Sequence, residues 1–190
     1  MVSQFVSPDD VGLLGDLDFD FPEGTHAIGR LDSNSEGLLI LTTDKRVTKL
    51  LFQSEIPHKR TYLVLVKNVV SSETLQKLKS GIDIKIKDGE IWTTSPCDVE
   101  IVEKPNGLFS GELEPHPNQL HTWLKITLTE GKFHQVRKMV AAVHHRCLRL
   151  IRLSIEDLKL DDLKAGAVKE FEANNFFRLL KIDVPQTLEA

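Results

Sequence analysis

Three long stretches of the chain alternate apolar residues in the two-residue period of a β-strand, and few helices separate them. Residues 60–67 (RTYLVLVK) place Tyr62, Val64 and Val66 on one face and Leu63 and Leu65 on the other. Residues 121–129 (HTWLKITLT) form a second such run. In a third, Leu148, Leu150, Ile151, Leu153 and Ile155 interleave with Arg149, Arg152 and Ser154. A shorter strand is expected where Ile82, Ile84 and Ile86 alternate with Asp83, Lys85 and Lys87, and another over residues 1–6. Strands that follow strands define an α+β fold with a mainly antiparallel sheet flanked by helices, not a βαβ nucleotide-binding fold.

The helical signals are local. Asp44 can cap a short helix ending near Phe52. Ser71 or Ser72 can cap a second, which stops at Gly81, a residue suited to a left-handed C-terminal turn. Residues 134–145 (HQVRKMVAAVHH) carry Val136, Met139, Val140 and Val143 on one stripe. Residues 7–28 are turn-rich, and residues 104–120 form a long loop with three prolines and two glycines. Loops of that length are uncommon without a function, and this one could touch RNA. Beyond a turn at residues 161–166 the pattern is mixed.

Several classes of function lose support. The chain has no GxGxxG or Gly-Lys-Ser/Thr loop, so no nucleotide cofactor is expected. Cys97 and Cys147 lack CxxC or histidine partners at metal spacing. They read as structural thiols of a reducing cytoplasm, with no metal. No apolar run approaches the roughly 20 residues that cross a bilayer, and the N-terminus has no basic and apolar leader pattern.

The net charge is −4, but it is unevenly distributed. Residues 1–28 hold six acids and no Lys or Arg, whereas residues 125–152 hold seven bases and one acid. Such a patch can steer a polyanion to one place and repel it elsewhere; a merely solvated basic face would look the same. Two segments could carry chemistry. In residues 29–37 (GRLDSNSEG), Arg30 and Asp32 precede a loop of small polar residues and then an apolar run. A carboxylate there can act as nucleophile or base, or simply close an Asx-turn. In residues 130–139 (EGKFHQVRKM), a turn leads into Lys132, His134, Arg137 and Lys138 at a helix start, an arrangement suited to anions.

Together these segments resemble the motifs of the bacterial rRNA pseudouridine synthases. Residues 29–44 (GRLDSNSEGLLILTTD) resemble the segment bearing that family's catalytic Asp. Residues 59–66 (KRTYLVLV) resemble its second motif, a strand with the active-site Tyr, and residues 130–139 its third, which brings a basic residue to the Asp. Residues 121–128 and 148–152 are similar to the branch acting on large-subunit rRNA, called type E. Ser35 stands where Thr is commoner. Phe133-His134 stands where that branch usually has Asn-Arg, and the His is more like the branch acting on small-subunit rRNA.

The resemblance implies a pseudouridine synthase fold with a central catalytic cleft. Residues 1–190 would form one catalytic domain of two lobes, beginning inside the family's first strand and without an N-terminal S4 domain. It implies an isomerase that breaks the uracil N1–C1′ bond, turns the base and joins C5 to C1′, using no cofactor or metal. Asp32 would be the catalytic carboxylate. Tyr62 would stack under the base, and Arg137 would pair with Asp32. Arg30 would fill the gap left by the flipped uridine. Lys132, His134, Lys138, Arg149 and Arg152 would contact RNA. The expected partner is large-subunit (23S) rRNA, met by a cytoplasmic monomer with no membrane association. A non-catalytic RNA-binding assembly factor, or a synthase acting on another RNA, are the alternatives. A glycoside hydrolase would need two facing carboxylates, and Glu36, in a turn beside Gly37, is a poor second.

Overall fold

The computed structural model describes residues 1–52, 56–109, 115–116 and 118–183. In chain order the elements are β1 (His26–Ile28), β2 (Glu36–Gly37), β3 (Ile40–Thr42), α1 (Arg46–Phe52), β4 (Arg60–Lys67), α2 (Ser72–Ser80), β5 (Asp83–Lys85), β6 (Ile91–Thr93), β7 (Asp98–Val102), β8 (His121–Leu128), α3 (Gln135–Ala142), β9 (Cys147–Ile155), β10 (Leu158–Lys159) and α4 (Ala173–Leu180).

The main sheet runs β10-β9-β4-β8-β7, and every pairing along that path is antiparallel. β2 adds a parallel pairing to β9, with Glu36 opposite Ile151 and Gly37 opposite Arg152. The fold is therefore α+β with a mixed, mainly antiparallel sheet. β1 pairs with β3, and β5 with β6, in two separate ribbons.

Both faces of β4 are covered, as its sequence requires. Val64 and Val66 join Leu124, Ile126 and Leu150 in one core, onto which α3 packs Val136, Met139 and Val140. Leu63 and Leu65 join Trp123 and Ile151 on the opposite face. A third core ties β1, β3 and α1 to Ile155, Leu158 and helix α4.

The capping signals correspond to real helix ends. Arg46 N–H donates to Asp44 Oδ1 at 2.9 Å before α1, and Thr74 N–H donates to Ser71 Oγ at 3.1 Å in α2. Gly81 then turns at φ +97°.

Two expectations fail. Residues 1–6 form no strand; their backbone makes isolated bonds to a neighbouring turn, Val2 N–H to Gly12 O and Leu14 N–H to Gln4 O, both 2.9 Å. The C-terminal stretch read as mixed contains α4, which buries Phe177 and Leu180. The long loop is described only in part; near its start Leu108 and Phe109 pack against the Leu63 core, and Phe109 O accepts from Arg149.

Near the sheet's end, Glu156 links distant parts of the chain. Its carboxylate accepts the Lys59 N–H just before β4, lies 3.6 Å from the buried His58 Nδ1, and meets Lys181 Nζ at 3.0 Å just after α4. Among the described residues, no helix is long and apolar enough to cross a membrane.

Candidate active site

Asp32 lies in the loop between β1 and β2. The Ser3 hydroxyl fixes the loop's entry, accepting from Leu31 N–H and donating to Leu31 O, both at 2.9 Å. Ser35 N–H closes the turn onto Asp32 O at 2.8 Å. The loop's exit is locked to β9, where Leu38 N–H donates to Arg152 O at 2.9 Å and Arg152 Nε donates back to Leu38 O at 2.7 Å. At Gly37, φ is +101°, and an added Cβ would meet the Arg152 carbonyl oxygen and stand 2.7 Å from its nitrogen. Glycine is required there by both conformation and space.

The start of α3 faces this loop. His134 adopts the left-handed region at φ +54° as the helix N-cap, a sparsely populated conformation for a non-glycine residue that its surroundings must hold. Gln135 supplies that hold. Its Oε1 accepts Lys132 N–H at 2.8 Å, and its Nε2 donates to Glu130 Oε1 at 2.7 Å. Glu130 also accepts Ser95 N–H at 3.0 Å and Trp92 Nε1–H at 3.2 Å, so the β5–β6 ribbon braces the same turn.

Two side chains cross from α3 and its cap to the loop. His134 Nε2 stands 3.2 Å from Asp32 Oδ1. Arg137 Nη2 donates to Asn34 O at 2.6 Å and to Ser35 Oγ at 3.2 Å. The expected Arg137–Asp32 pair is therefore not what meets the carboxylate here. Arg137 reaches the loop two and three residues further on, and the histidine reaches Asp32.

Tyr62 packs against the core that α3 covers. It is opposite Arg152 on β9 and Ile126 on β8. Burial pulls the Arg152 guanidinium below its ordinary pKa, and the adjacent Tyr62 opposes that shift.

The basic residues separate into two groups. Arg30 is exposed, and Lys132 and Lys138 are partly so. Lys132 Nζ lies 3.7 Å from the Trp92 ring centroid, and Lys138 Nζ lies 5.3 Å from that of Phe133. Arg149 and Arg152, expected at an RNA surface, are instead only 2% and 4% exposed. Arg149 makes a bidentate pair with Glu36 at 2.8 and 2.9 Å and donates to Phe109 O at 2.8 Å. Their alternation with leucines reads as a solvated face, but β9 is covered on both faces, so its arginines turn inward to internal acceptors. The pairing of Glu36 with Arg149 gave no sequence signal, because 113 residues separate them.

On the other side of Asp32 a cavity of about 710 Å³ opens. It is bordered by Leu17, Phe19, Phe21, Leu163 and Phe171 as well as the Asp32 loop. Its lining takes in Asp32, Ser35 and Glu36 but not Tyr62, His134 or Arg137, so the cavity and the α3 contacts meet at the Asp32 loop alone.

The comparisons give this arrangement a class. Residues 17–142 match the family model described as RNA pseudouridylate synthase, and the chain belongs to that family. The matched span contains Asp32, Tyr62, His134 and Arg137. Within the family, the chain is 36% identical over 176 residues to a protein of Vibrio parahaemolyticus named ribosomal large subunit pseudouridine synthase E, covering 90% of this chain and 69% of that protein. It is 37% identical over 150 residues to the protein of that name from Vibrio vulnificus, covering 76% of this chain and 60% of the relative. A crystal structure of a pseudouridylate synthase superposes with a TM-score of 0.74 at 26% identity, over 94% of this chain and 68% of the other.

Proposed function

We propose that residues 1–190 form one catalytic domain of an rRNA pseudouridine synthase, an isomerase that converts a uridine of large-subunit rRNA to pseudouridine with Asp32 as nucleophile. The observation that carries this reading is the bracing of the Asp32 loop. In a chain of this family, His134 holds the carboxylate and Arg137 the turn beside it, both from a helix start packed on the sheet face that carries Tyr62.

The chemistry is an internal exchange of bonds. Asp32 attacks C1′ as the N1–C1′ bond breaks. The freed uracil turns, C5 attacks C1′, the carboxylate leaves, and the C5 proton returns to the base at N1. Nothing is consumed. Tyr62 stacks against the base, and Arg152 fixes Tyr62 from the neighbouring strand. His134 orients the carboxylate by hydrogen bonding, and Arg137 shapes its loop.

Removing the uridine from its stack costs a few kcal/mol, roughly. Arg30, Lys132 and Lys138 offset this by contacting phosphates or occupying the gap; Arg149 and Arg152 act from inside. The enzyme works as a cytoplasmic monomer. The large-subunit assignment draws on relatives bearing that name.

The test is pseudouridine mapping by carbodiimide treatment and primer extension, on rRNA from cells with and without the gene. One large-subunit stop, lost on deletion and restored by the wild type but not by Asp32→Asn, establishes the reading. Retention of every stop in both rRNAs overturns the rRNA assignment.

A further inference from the structure

Phe133 has no place in the reaction described above. It is 69% exposed, the most exposed phenylalanine of the described residues, and it sits immediately before the left-handed His134. Its ring stacks on the His134 imidazole with centroids 3.7 Å apart and planes 21° from parallel. That same imidazole places Nε2 3.2 Å from Asp32. An exposed apolar ring is thus held in a fixed orientation one residue-width from the reacting carboxylate. The Lys138 ammonium lies 5.3 Å from the ring centroid, and Lys132 stands on the same turn.

Leaving a large ring in water forgoes burial, and the contacts with His134 and Lys138 orient the ring without covering it. The Gln135 side chain, bonded to Lys132 N–H and to Glu130, braces the turn that carries the ring. An aromatic face beside flexible cations is the chemistry that receives an unpaired nucleotide, with the base on the ring and the phosphate on the ammonium. The target uracil is assigned to Asp32 and Tyr62, which leaves the ring for a neighbouring base.

We propose that Phe133 and Lys138 form a nucleotide-binding platform for an unpaired RNA base adjacent to the target uridine, stacking the base on Phe133 and pairing its phosphate with Lys138. The proposal rests on the RNA-modifying reading of the Asp32 site. It makes Phe133 a binding residue rather than a catalytic one. Replacing the ring should raise KM more than it lowers kcat, since the ring also stacks on His134, and tryptophan should substitute where leucine, of similar apolarity, does not.

The experiment uses the full chain and in vitro-transcribed large-subunit rRNA. Phe133→Ala and Phe133→Leu are expected to weaken RNA binding about ten-fold, within the range for loss of one base stack. Phe133→Trp should keep wild-type KM, and its added fluorescence should be quenched by RNA beyond the response of Trp92 and Trp123 in the wild type. Lys138→Gln should lower the salt dependence of binding by about one phosphate contact. Circular dichroism and thermal melting confirm that each variant is folded. Unchanged binding and KM in Phe133→Ala, or no added quenching in Phe133→Trp, overturns the platform while wild-type turnover leaves the Asp32 reading intact. A wild type that modifies neither rRNA overturns that reading, and the platform with it.

Discussion

His134 Nε2 meets Asp32 Oδ1 at 3.2 Å across the gap between a helix cap and a loop, and the nearest arginine of the same helix serves the loop's backbone instead. The carboxylate and its anchor are separable by mutation. Asp32→Asn keeps the size and the hydrogen bond but removes the nucleophile. It should fold with an unchanged melting temperature, bind RNA and form no pseudouridine. Turnover above background in a tritium-release assay would sink the assignment of Asp32. His134→Ala should lower kcat by about ten- to a hundred-fold, the effect of misplacing a reacting group by about an ångström.

Arg137 bridges a carbonyl and a hydroxyl of the Asp32 loop with one nitrogen. Arg137→Ala should therefore depress kcat by freeing the loop. Because the guanidinium is engaged by protein, the slope of log Kd against log salt should stay unchanged. A slope reduced by about one would instead make Arg137 a phosphate contact. Arg137→Lys should recover part of the rate, since a lysine can reach one acceptor but lacks the planar fork.

Glu36 and Arg149 form the inner ion pair beneath the loop. Glu36→Ala strands a guanidinium that is 2% exposed. The expected loss is about 3 kcal/mol, the lower end of the range for breaking a buried pair, since Glu36 keeps some solvent contact. Urea unfolding gives the value. A loss under about 1 kcal/mol would mean that the remaining contacts of Arg149, the Phe109 carbonyl among them, satisfy it.

Gly37→Ala should cost at least about 2 kcal/mol, from a positive φ combined with a close backbone approach to Arg152. It should also lower activity, because β2 carries the exit of the Asp32 loop. Unfolding midpoints and single-turnover rates report the two effects separately.

Burial, with smaller contributions from Asp98 and Glu130, pushes the Cys97 thiol up from 9.0 to about 11. Folding holds this proton, so the stabilisation is complete below about pH 9 and disappears as pH rises through about 11. At pH 8 the thiolate fraction is roughly a hundredth of an ordinary thiol's, and alkylation should slow about 100-fold. Mass spectrometry after timed iodoacetamide treatment reads that rate at Cys97; ordinary reactivity would refute the shift.

The parts of the fold legible in the sequence are those whose signals are local. The period-two runs of β4, β8 and β9, the Asp44 and Ser71 caps, and the Gly81 stop each depend on residues a few positions apart. Motif resemblance drew attention to Asp32, Tyr62, His134 and Arg137, but it gave His134 an RNA contact and Arg137 the pairing with Asp32, whereas the histidine stands at Asp32 and the arginine on Asn34 and Ser35. A further error lay in the directions of Arg149 and Arg152. Alternation puts them on opposite faces, Arg149 beside Leu65 and Arg152 beside Tyr62, but only tertiary structure decides whether either face meets water. Helix α4 was missed because its apolar stripe is short and starts behind two asparagines. Residues 1–6 misled for the opposite reason: apolar alternation without a neighbouring strand to pair with. Phe133 was legible only as a departure from relatives, with no hint of its exposure.

Strand β4 is paired along its whole length on both sides, to β8 and β9, and through Glu156 its entry is also fastened to the end of α4. Tyr62 therefore sits in the part of the molecule expected to exchange its amide protons last. Asp32 sits in a loop held at a few points. The single hydrogen bonds at that loop's entry, turn and exit should open before the ladders of β4 do, so amide exchange around Asp32 should run ahead of exchange around Tyr62.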